Sequence, residues 1–176
     1  EKPSKYSQKE IDNLYKKYKS LATEINTTRT ENISDQTVIF ILSESLADPE
    51  RIPGVTLSAP VLPQIKQIQS ETTSGLMKSD GYGGGTANME FQTLTGLPMY
   101  NFNDMISVLY TEVIPDMTYI PSISNAFDPQ NRIVIHLSDA THYARNSVYT
   151  KLKFNEFIAT SGSDNIAEEA NLLGAY

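Results

Sequence analysis

The sequence predicts an α/β fold with a mostly parallel β-sheet flanked by helices. Two short apolar runs, residues 38–42 and 132–137, are separated by segments in which apolar side chains recur at helical spacing. The first run, VIFIL, has no polar interruption, which is typical of a strand buried on both faces of a parallel sheet. Helical segments between the two strands imply βαβ crossovers. We expect the fold to be incomplete because the chain ends early, with a polar loop and a short helix after about residue 161.

The composition argues against several classes of function. The 176 residues are enough for one domain with a hydrophobic core. A formal charge of −7 and a pI near 4.8 argue against nucleic acid as a partner, because binding to phosphate backbones needs a basic surface. No window approaches the roughly 18 apolar residues of a membrane span. The lack of cysteine excludes disulfides and thiolate chemistry.

The N-terminal segment is predicted to be an amphipathic helix over residues 8–26. Apolar side chains recur there at three- and four-residue spacing, and Ser7 followed by Glu10 fits a capping box. Six lysines among residues 1–19 give that stretch a charge of about +3, against about −10 for the rest of the chain. We interpret it as a solvated helix face, and a stalk near an anionic membrane surface is the alternative.

Three further elements are predicted between the two strands. Residues 61–71 are predicted to form a short helix after a proline-rich stretch. Residues 87–95 are predicted to form a second helix that stops near Gly96 and Pro98. Residues 120–126 have the pattern of the end of a third helix.

Glu44 stands directly after the first predicted strand. In open α/β sheets, ligands bind at the carboxyl ends of the strands, and Glu44 lies at such an end. It is therefore a candidate metal ligand. The alternative is a solvated or salt-bridged loop carboxylate.

A glycine cluster brings Thr86 to the start of the helix predicted over residues 87–95. Three glycines, Gly83 to Gly85, permit left-handed backbone conformations, and the free N–H groups at a helix N-terminus favour anions such as a phosphoryl group. The segment lacks the lysine of a P-loop and the third glycine of a dinucleotide-binding fingerprint. Thr86 is a candidate nucleophile that would need a base or a metal to lose its proton. A simple helix cap is the alternative.

Three side chains at and after the second strand are candidate substrate ligands. Arg145 offers a planar fork for phosphate oxygens, His136 can exchange a proton, and the ring of Tyr143 can flank a small polyol. The alternatives are packing roles for the histidine and the tyrosine, and an ion pair with an acidic neighbour such as Asp139 for the arginine. His142 has no feature that distinguishes it from a surface residue.

Three ordered segments read TVIFILSESL, GYGGGTANMEFQTLTGLP and VIHLSDATHYARNSVY, and together they span residues 37–149. In this order they resemble the lipoteichoic acid synthase family of phosphoglycerol transferases, which has an alkaline phosphatase/sulfatase-like fold. The resemblance implies that Glu44 and Thr86 bind a catalytic metal and that Thr86 is also the nucleophile. It further implies that His136, Tyr143 and Arg145 bind the glycerol phosphate head group.

The same resemblance implies a domain organisation and a reaction. Residues 1–31 would be a helical linker from a membrane region, and residues 32–176 the N-terminal part of a sulfatase-like catalytic domain. The metal would be Mn²⁺ or Mg²⁺, with an Asp-His pair from beyond this chain as its remaining ligands. The catalytic domain would lie outside the cytoplasm, anchored to the cell membrane of a Gram-positive bacterium. It would transfer glycerol phosphate from phosphatidylglycerol to a polymer or glycolipid through a phospho-threonine, and the fragment alone is expected to be inactive.

The sequence departs from the family at two positions that affect head-group contacts. Tyr143 stands where the family usually has Trp, and Ser138 stands where it has Asp. These departures bear on the identity of the donor or acceptor. Two alternative functions also stay open. One is a hydrolase of the same superfamily, such as a phosphodiesterase or a sulfatase-like enzyme, and the other is a non-catalytic domain that binds phosphoglycerol polymer or acts as a scaffold.

Overall fold

The computed structural model describes residues 6–43, 46–79, 81 and 85–162. The chain forms two compact units, Glu1–Ile39 and Phe40–Tyr176. Among the described residues, no helix combines the length and the apolar character needed to cross a membrane. The helix predicted in the tail falls within residues 163–176, outside the described part.

The first unit contains the predicted N-terminal helix. Helix α1 spans Gln8–Asn26, and the hydroxyl of Ser7 caps it by accepting a hydrogen bond from the backbone N–H of Glu10 at 3.2 Å. None of the residues of α1 is buried. The prediction of this helix is confirmed.

The prediction of a strand at residues 38–42 is wrong. The segment has no regular secondary structure, and the exposed fraction of its apolar residues lies between 38% and 87%. A strand needs a neighbour to satisfy its backbone hydrogen-bonding groups, and no described strand pairs with this segment. The apolar run has the residue types of a buried strand, but the described residues offer it no partner strand.

The second unit contains four α-helices in its described part. The predicted helices at 61–71 and 87–95 are confirmed, and the left-handed Gly96, with φ of 69°, ends the second of them. Where residues 120–126 were predicted to end a helix, the structure has only the 3₁₀ turn Ile123–Ala126. The four helices are α2 (Pro63–Glu71), α3 (Thr86–Thr95), α4 (Leu109–Glu112) and α5 (Arg145–Lys151).

Two parallel strands form the sheet of the described residues. Strand β1 spans Ile133–Asp139, which confirms the predicted second strand, and β2 spans Glu156–Ser161. Because α5 lies between them along the chain, they form a βαβ unit. Residues pair one to one from Ile133, opposite Glu156, to His136, opposite Ala159. The register becomes irregular between His136 and Asp139. The parallel α/β fold class is therefore confirmed, whereas β2 was not predicted.

The hydrophobic core joins α3, α4 and α5. The largest fully buried side chains are those of Phe91, Leu109, Tyr110 and Val148. Buried Asn88 ties α3 to the start of α4, because its side chain donates to Ser107 O at 2.8 Å and accepts from Leu109 N at 3.0 Å. These contacts fix the first turn of α3, where Thr86 lies.

Candidate functional site

Thr86 is the first residue of α3, in the position that the glycine cluster predicts. Gly85 precedes the helix, and its carbonyl accepts the N–H of Asn88 at 2.9 Å. The backbone N–H groups of Thr86 and Ala87 donate to no described residue, as is usual for the first turn of a helix. Their partial positive charge favours an anion beside the Thr86 side chain. Gly83 lies outside the described residues.

Glu90 connects the helix of Thr86 to the predicted head-group arginine. Thr86 and Glu90 are four residues apart, so they share one face of α3 and are separated by about 6 Å along its axis. The carboxylate of Glu90 accepts Nε of Arg145 at 3.0 and 3.1 Å and Nη2 at 2.6 Å. It also accepts the hydroxyl of Tyr149 at 3.0 Å. The exposed fractions of the two charged side chains are 12% for Glu90 and 3% for Arg145, so this is a buried, two-point ion pair.

Arg145 is held on two further sides. Its Nη1 donates to the carbonyl of His142 at 3.2 Å, and the ring centre of Tyr143 lies 5.0 Å from its Cζ. Burial favours the neutral guanidine, but the hydrogen bond and the charge of Glu90 outweigh it and raise the pKa of Arg145. The arginine therefore remains charged. Its carboxylate partner is Glu90, not the Asp139 that the sequence alone suggested.

His136 lies on β1, beside the same charged pair. Its ring packs against that of Phe157 at a centroid distance of 6.5 Å, and its buried Nε2 has no hydrogen-bond partner among the described residues. Burial lowers the pKa of His136, and the positive charge of Arg145 lowers it further. At neutral pH the imidazole is therefore uncharged and able to donate or accept one hydrogen bond at Nε2.

The loop between β1 and α5 carries backbone strain. Tyr143 and Ala144 have φ values of 57° and 55°, in the left-handed region that residues other than glycine rarely occupy. Asp139 anchors the start of this loop by accepting Ser161 Oγ at 2.6 Å, and both the hydroxyl and the N–H of Thr141, the latter at 2.7 Å. These hydrogen bonds, that of Ser161 first, lower the pKa of Asp139 from its ordinary 3.8 to about 2. The ends of both strands thus hold the loop that presents Tyr143.

With this geometry established, comparison with known proteins identifies the family. The Sulfatase family model matches residues 36–174. The chain belongs to the sulfatase family. The solved structure of Streptococcus pyogenes phosphoglycerol transferase GacH in complex with sn-glycerol-1-phosphate is 53% identical in sequence and superposes with a TM-score of 0.90. The family resemblance found in the sequence is confirmed.

A curated relative of this sulfatase-family chain comes from Rhizobium meliloti (strain 1021). It is a putative cyclic beta-1,2-glucan modification protein, 34% identical over 122 residues, which are 68% of this chain and 18% of the relative. The match to the GacH structure covers 96% of this chain and 44% of GacH. The chain therefore spans less than half the length of each of these two relatives.

The described residues hold only part of the metal site that the resemblance implies. Thr86 is placed, whereas Glu44 lies outside the described part of the chain. Elsewhere in that part, no group of three or more His, Asp or Glu side chains is arranged to hold a metal ion. The donors present in the described residues do not by themselves fit a divalent metal.

Sequence reasoning missed two residues of the site, Glu90 and Tyr149. The signal for Glu90 was available, because an acid four residues after Thr86 must share its helix face. The contact between that face and Arg145, 55 residues later, could not be predicted from the sequence. The role of Tyr149 depends on the same long-range contact.

Proposed function

We propose that the full-length protein transfers glycerol phosphate from phosphatidylglycerol to a hydroxyl group of a polymer or glycolipid. The observation that carries this proposal is the 53% identity, over 96% of the chain, with a phosphoglycerol transferase whose structure holds sn-glycerol-1-phosphate. Membership of the sulfatase family by itself is equally compatible with a hydrolase. The transferase relative favours transfer to an acceptor hydroxyl over transfer to water.

Thr86 is the proposed nucleophile. Its Oγ attacks the phosphorus of the donor, an Oγ–P bond forms, and the P–O bond to diacylglycerol breaks. The hydroxyl proton of Thr86 leaves, and the departing diacylglycerol oxygen takes up a proton. In the second step the acceptor oxygen attacks the same phosphorus and its hydroxyl proton leaves. The product P–O ester bond forms, the Oγ–P bond breaks, and Thr86 Oγ takes up a proton again.

The first turn of α3 supports this role by electrostatics. The N–H groups of Thr86 and Ala87 lie in the first turn of the helix, beside the attacking oxygen in sequence, and they suit the non-bridging phosphoryl oxygens. The core contacts of Asn88 hold this turn before substrate arrives. Stabilisation of the developing charge then needs little reorganisation of the helix.

His136, Tyr143 and Arg145 are the proposed head-group ligands. An arginine has five N–H groups, and the hydrogen bonds of Arg145 to described residues use Nε, one N–H of Nη1 and one of Nη2. One N–H on each Nη atom has no acceptor in the described part of the chain, and we assign these two groups to a phosphate or hydroxyl oxygen. The uncharged imidazole of His136 adds one further hydrogen-bonding atom, the buried Nε2.

A divalent metal, Mn²⁺ or Mg²⁺, belongs to the proposal for the full-length protein, with Glu44 and Thr86 as the ligands from this chain. Hard oxygen donors suit these ions. Because the described donors do not complete such a site, no step of the proposed reaction is assigned to the metal ion. Removal of divalent ions by a chelator is the direct test of this part.

The proposed location is the outer face of the cell membrane, which is what the resemblance to lipoteichoic acid synthases implies. The relatives favour two different acceptors. Resemblance to lipoteichoic acid synthases favours a glycerol phosphate polymer, whereas the curated relative is named for glucan modification and favours a sugar hydroxyl. Both acceptors belong in the assay.

The test is an assay of the full-length protein with phosphatidylglycerol labelled in its head group, in the presence of Mn²⁺ and each acceptor. We expect label in the acceptor, and loss of this product with Thr86→Ala. The matched control is Thr95→Ala, the same change at the last residue of the same helix, where the hydroxyl donates to Phe91 O at 2.7 Å and accepts from Leu97 N at 3.1 Å. Free glycerol phosphate as the sole product would establish a hydrolase, and no product from folded protein would favour the non-catalytic role.

A further inference from the structure

Glu90 has more contacts than a capping or surface carboxylate would have. It lies in the middle of α3, nearly buried, and accepts hydrogen bonds from Arg145 and Tyr149, which both lie on α5. The resemblance to the transferase family gave this residue no role beyond matching the sequence pattern. It lies one helical turn from Thr86, the proposed nucleophile, and it contacts Arg145, the proposed head-group arginine.

We propose that Glu90 is a positioning residue, which orients the guanidinium of Arg145 so that its remaining N–H groups are available to the glycerol phosphate head group. This inference rests on the proposed function, because it assigns Glu90 to the same site. The two-point contact through Nε and Nη2 fixes the plane of the guanidinium, which a single hydrogen bond would leave free to rotate.

The second buried arginine shows the difference between fixing a fold and orienting a ligand group. Within the described part of the chain, Arg132 donates to backbone carbonyls only, those of Phe127 and Leu152. Neutral carbonyl acceptors are enough to bury that guanidinium. Arg145 instead has a carboxylate partner, although a buried ion pair is often no more stable than apolar side chains of the same volume. Orientation of the arginine is therefore the property that Glu90 supplies beyond stability.

The backbone around Arg145 points to the same role. The two residues before it are in the left-handed conformation, and this arrangement persists only when surrounding contacts outweigh its strain. Glu90, Tyr149 and the Asp139 anchor are contacts of that kind. The loop and the arginine are thus held in a defined position before the substrate binds.

The experiment compares variants of the full-length protein by steady-state kinetics with phosphatidylglycerol and by calorimetric titration with sn-glycerol phosphate. Glu90→Gln is expected to lower kcat/KM by about tenfold to a hundredfold, the usual cost of losing a residue that orients a ligand group. Most of that loss should appear in KM, because Arg145 is proposed to contact the bound donor before reaction. The affinity for sn-glycerol phosphate should fall by a similar factor.

The matched control is Glu112→Gln. Glu112 is the same residue type on the next helix, where its carboxylate accepts Val108 N at 2.7 Å and Ser107 N at 3.1 Å. This change is expected to leave KM and kcat within about twofold of the wild type, as for a substitution away from the site. Glu90→Asp, which keeps the charge, should recover part of the lost affinity.

A double-mutant cycle tests whether Glu90 acts through Arg145. In an Arg145→Lys background the planar guanidinium that makes the two-point contact with Glu90 is absent. Glu90→Gln should therefore lower kcat/KM little further than Arg145→Lys alone. Tyr149→Phe removes one hydrogen bond to Glu90, keeps the ion pair, and should raise KM only a few-fold. This variant tests the positioning role if Glu90→Gln does not fold.

Wild-type KM and glycerol phosphate affinity in folded Glu90→Gln, or additive effects in the cycle, would overturn the inference. If Glu90→Gln does not fold, a wild-type KM in both Tyr149→Phe and Glu90→Asp would overturn it as well. The proposed function fails separately, when the wild type binds glycerol phosphate but transfers none. Weaker binding by Glu90→Gln would then still support the positioning role.

Discussion

Breaking the buried pair between Glu90 and Arg145 should destabilise the protein severely. Arg145→Gln leaves the carboxylate of Glu90 nearly buried, and among the described residues the Tyr149 hydroxyl is then its one remaining side-chain donor. Removing one partner of a buried ion pair costs about 3–5 kcal/mol. With a urea dependence of about 2 kcal/mol per molar, this lowers the unfolding midpoint by about 1.5–2.5 M.

Urea unfolding followed by circular dichroism measures this loss. The double variant Glu90→Gln/Arg145→Gln carries no unpaired charge, so it should be more stable than the sum of the single changes predicts, by about 1–3 kcal/mol. The exposed pair of Lys66 and Glu50 serves as control, with side chains 36% and 34% exposed. Lys66→Gln should leave the midpoint at its wild-type value. An equally small shift for Arg145→Gln, or strictly additive single changes, would refute the buried-pair account.

Two further predictions concern the loop between β1 and α5. Ala144→Gly should stabilise the protein by about 0.5–1 kcal/mol, because glycine occupies a φ of 55° without strain. The control, Ala22→Gly within α1, should destabilise that helix. A loss of stability with Ala144→Gly would contradict the presence of strain at this residue. Asp139→Asn should reduce the unfolding midpoint at pH 6. Since the folded pKa of Asp139 is lowered, this difference should be constant above about pH 4 and disappear as pH falls towards 2; a difference that persists at pH 2 would show that the charge is not responsible.

The second strand and three helices could be predicted because their signals are local. The apolar run at residues 132–137 and the caps of α1 and α3 depend on residues a few positions apart. The strand predicted at residues 38–42 was wrong because a strand also needs a hydrogen-bonding neighbour, which composition does not reveal. Strand β2 was missed because its six residues, EFIATS, carry no long apolar run.

The candidate site shows the same division between local and long-range information. The position of Thr86 at a helix start follows from the glycines beside it, and the structure places it there. The ion-pair partner of Arg145 could not be predicted in this way. Asp139 is only six residues away in sequence and was the expected partner, whereas the actual partner, Glu90, is 55 residues away. The roles assigned to Glu44, Thr86, His136, Tyr143 and Arg145 remain predictions from the family resemblance.

The most direct test of the central claim is to search for the covalent intermediate on Thr86. The full-length protein would be incubated with phosphatidylglycerol and Mn²⁺ without acceptor, quenched in acid, digested and analysed by mass spectrometry. We predict one glycerophosphoryl group on the peptide that contains Thr86, and its disappearance when acceptor is added. Turnover that survives in Thr86→Ala, or a glycerophosphoryl group on another residue, would contradict the account.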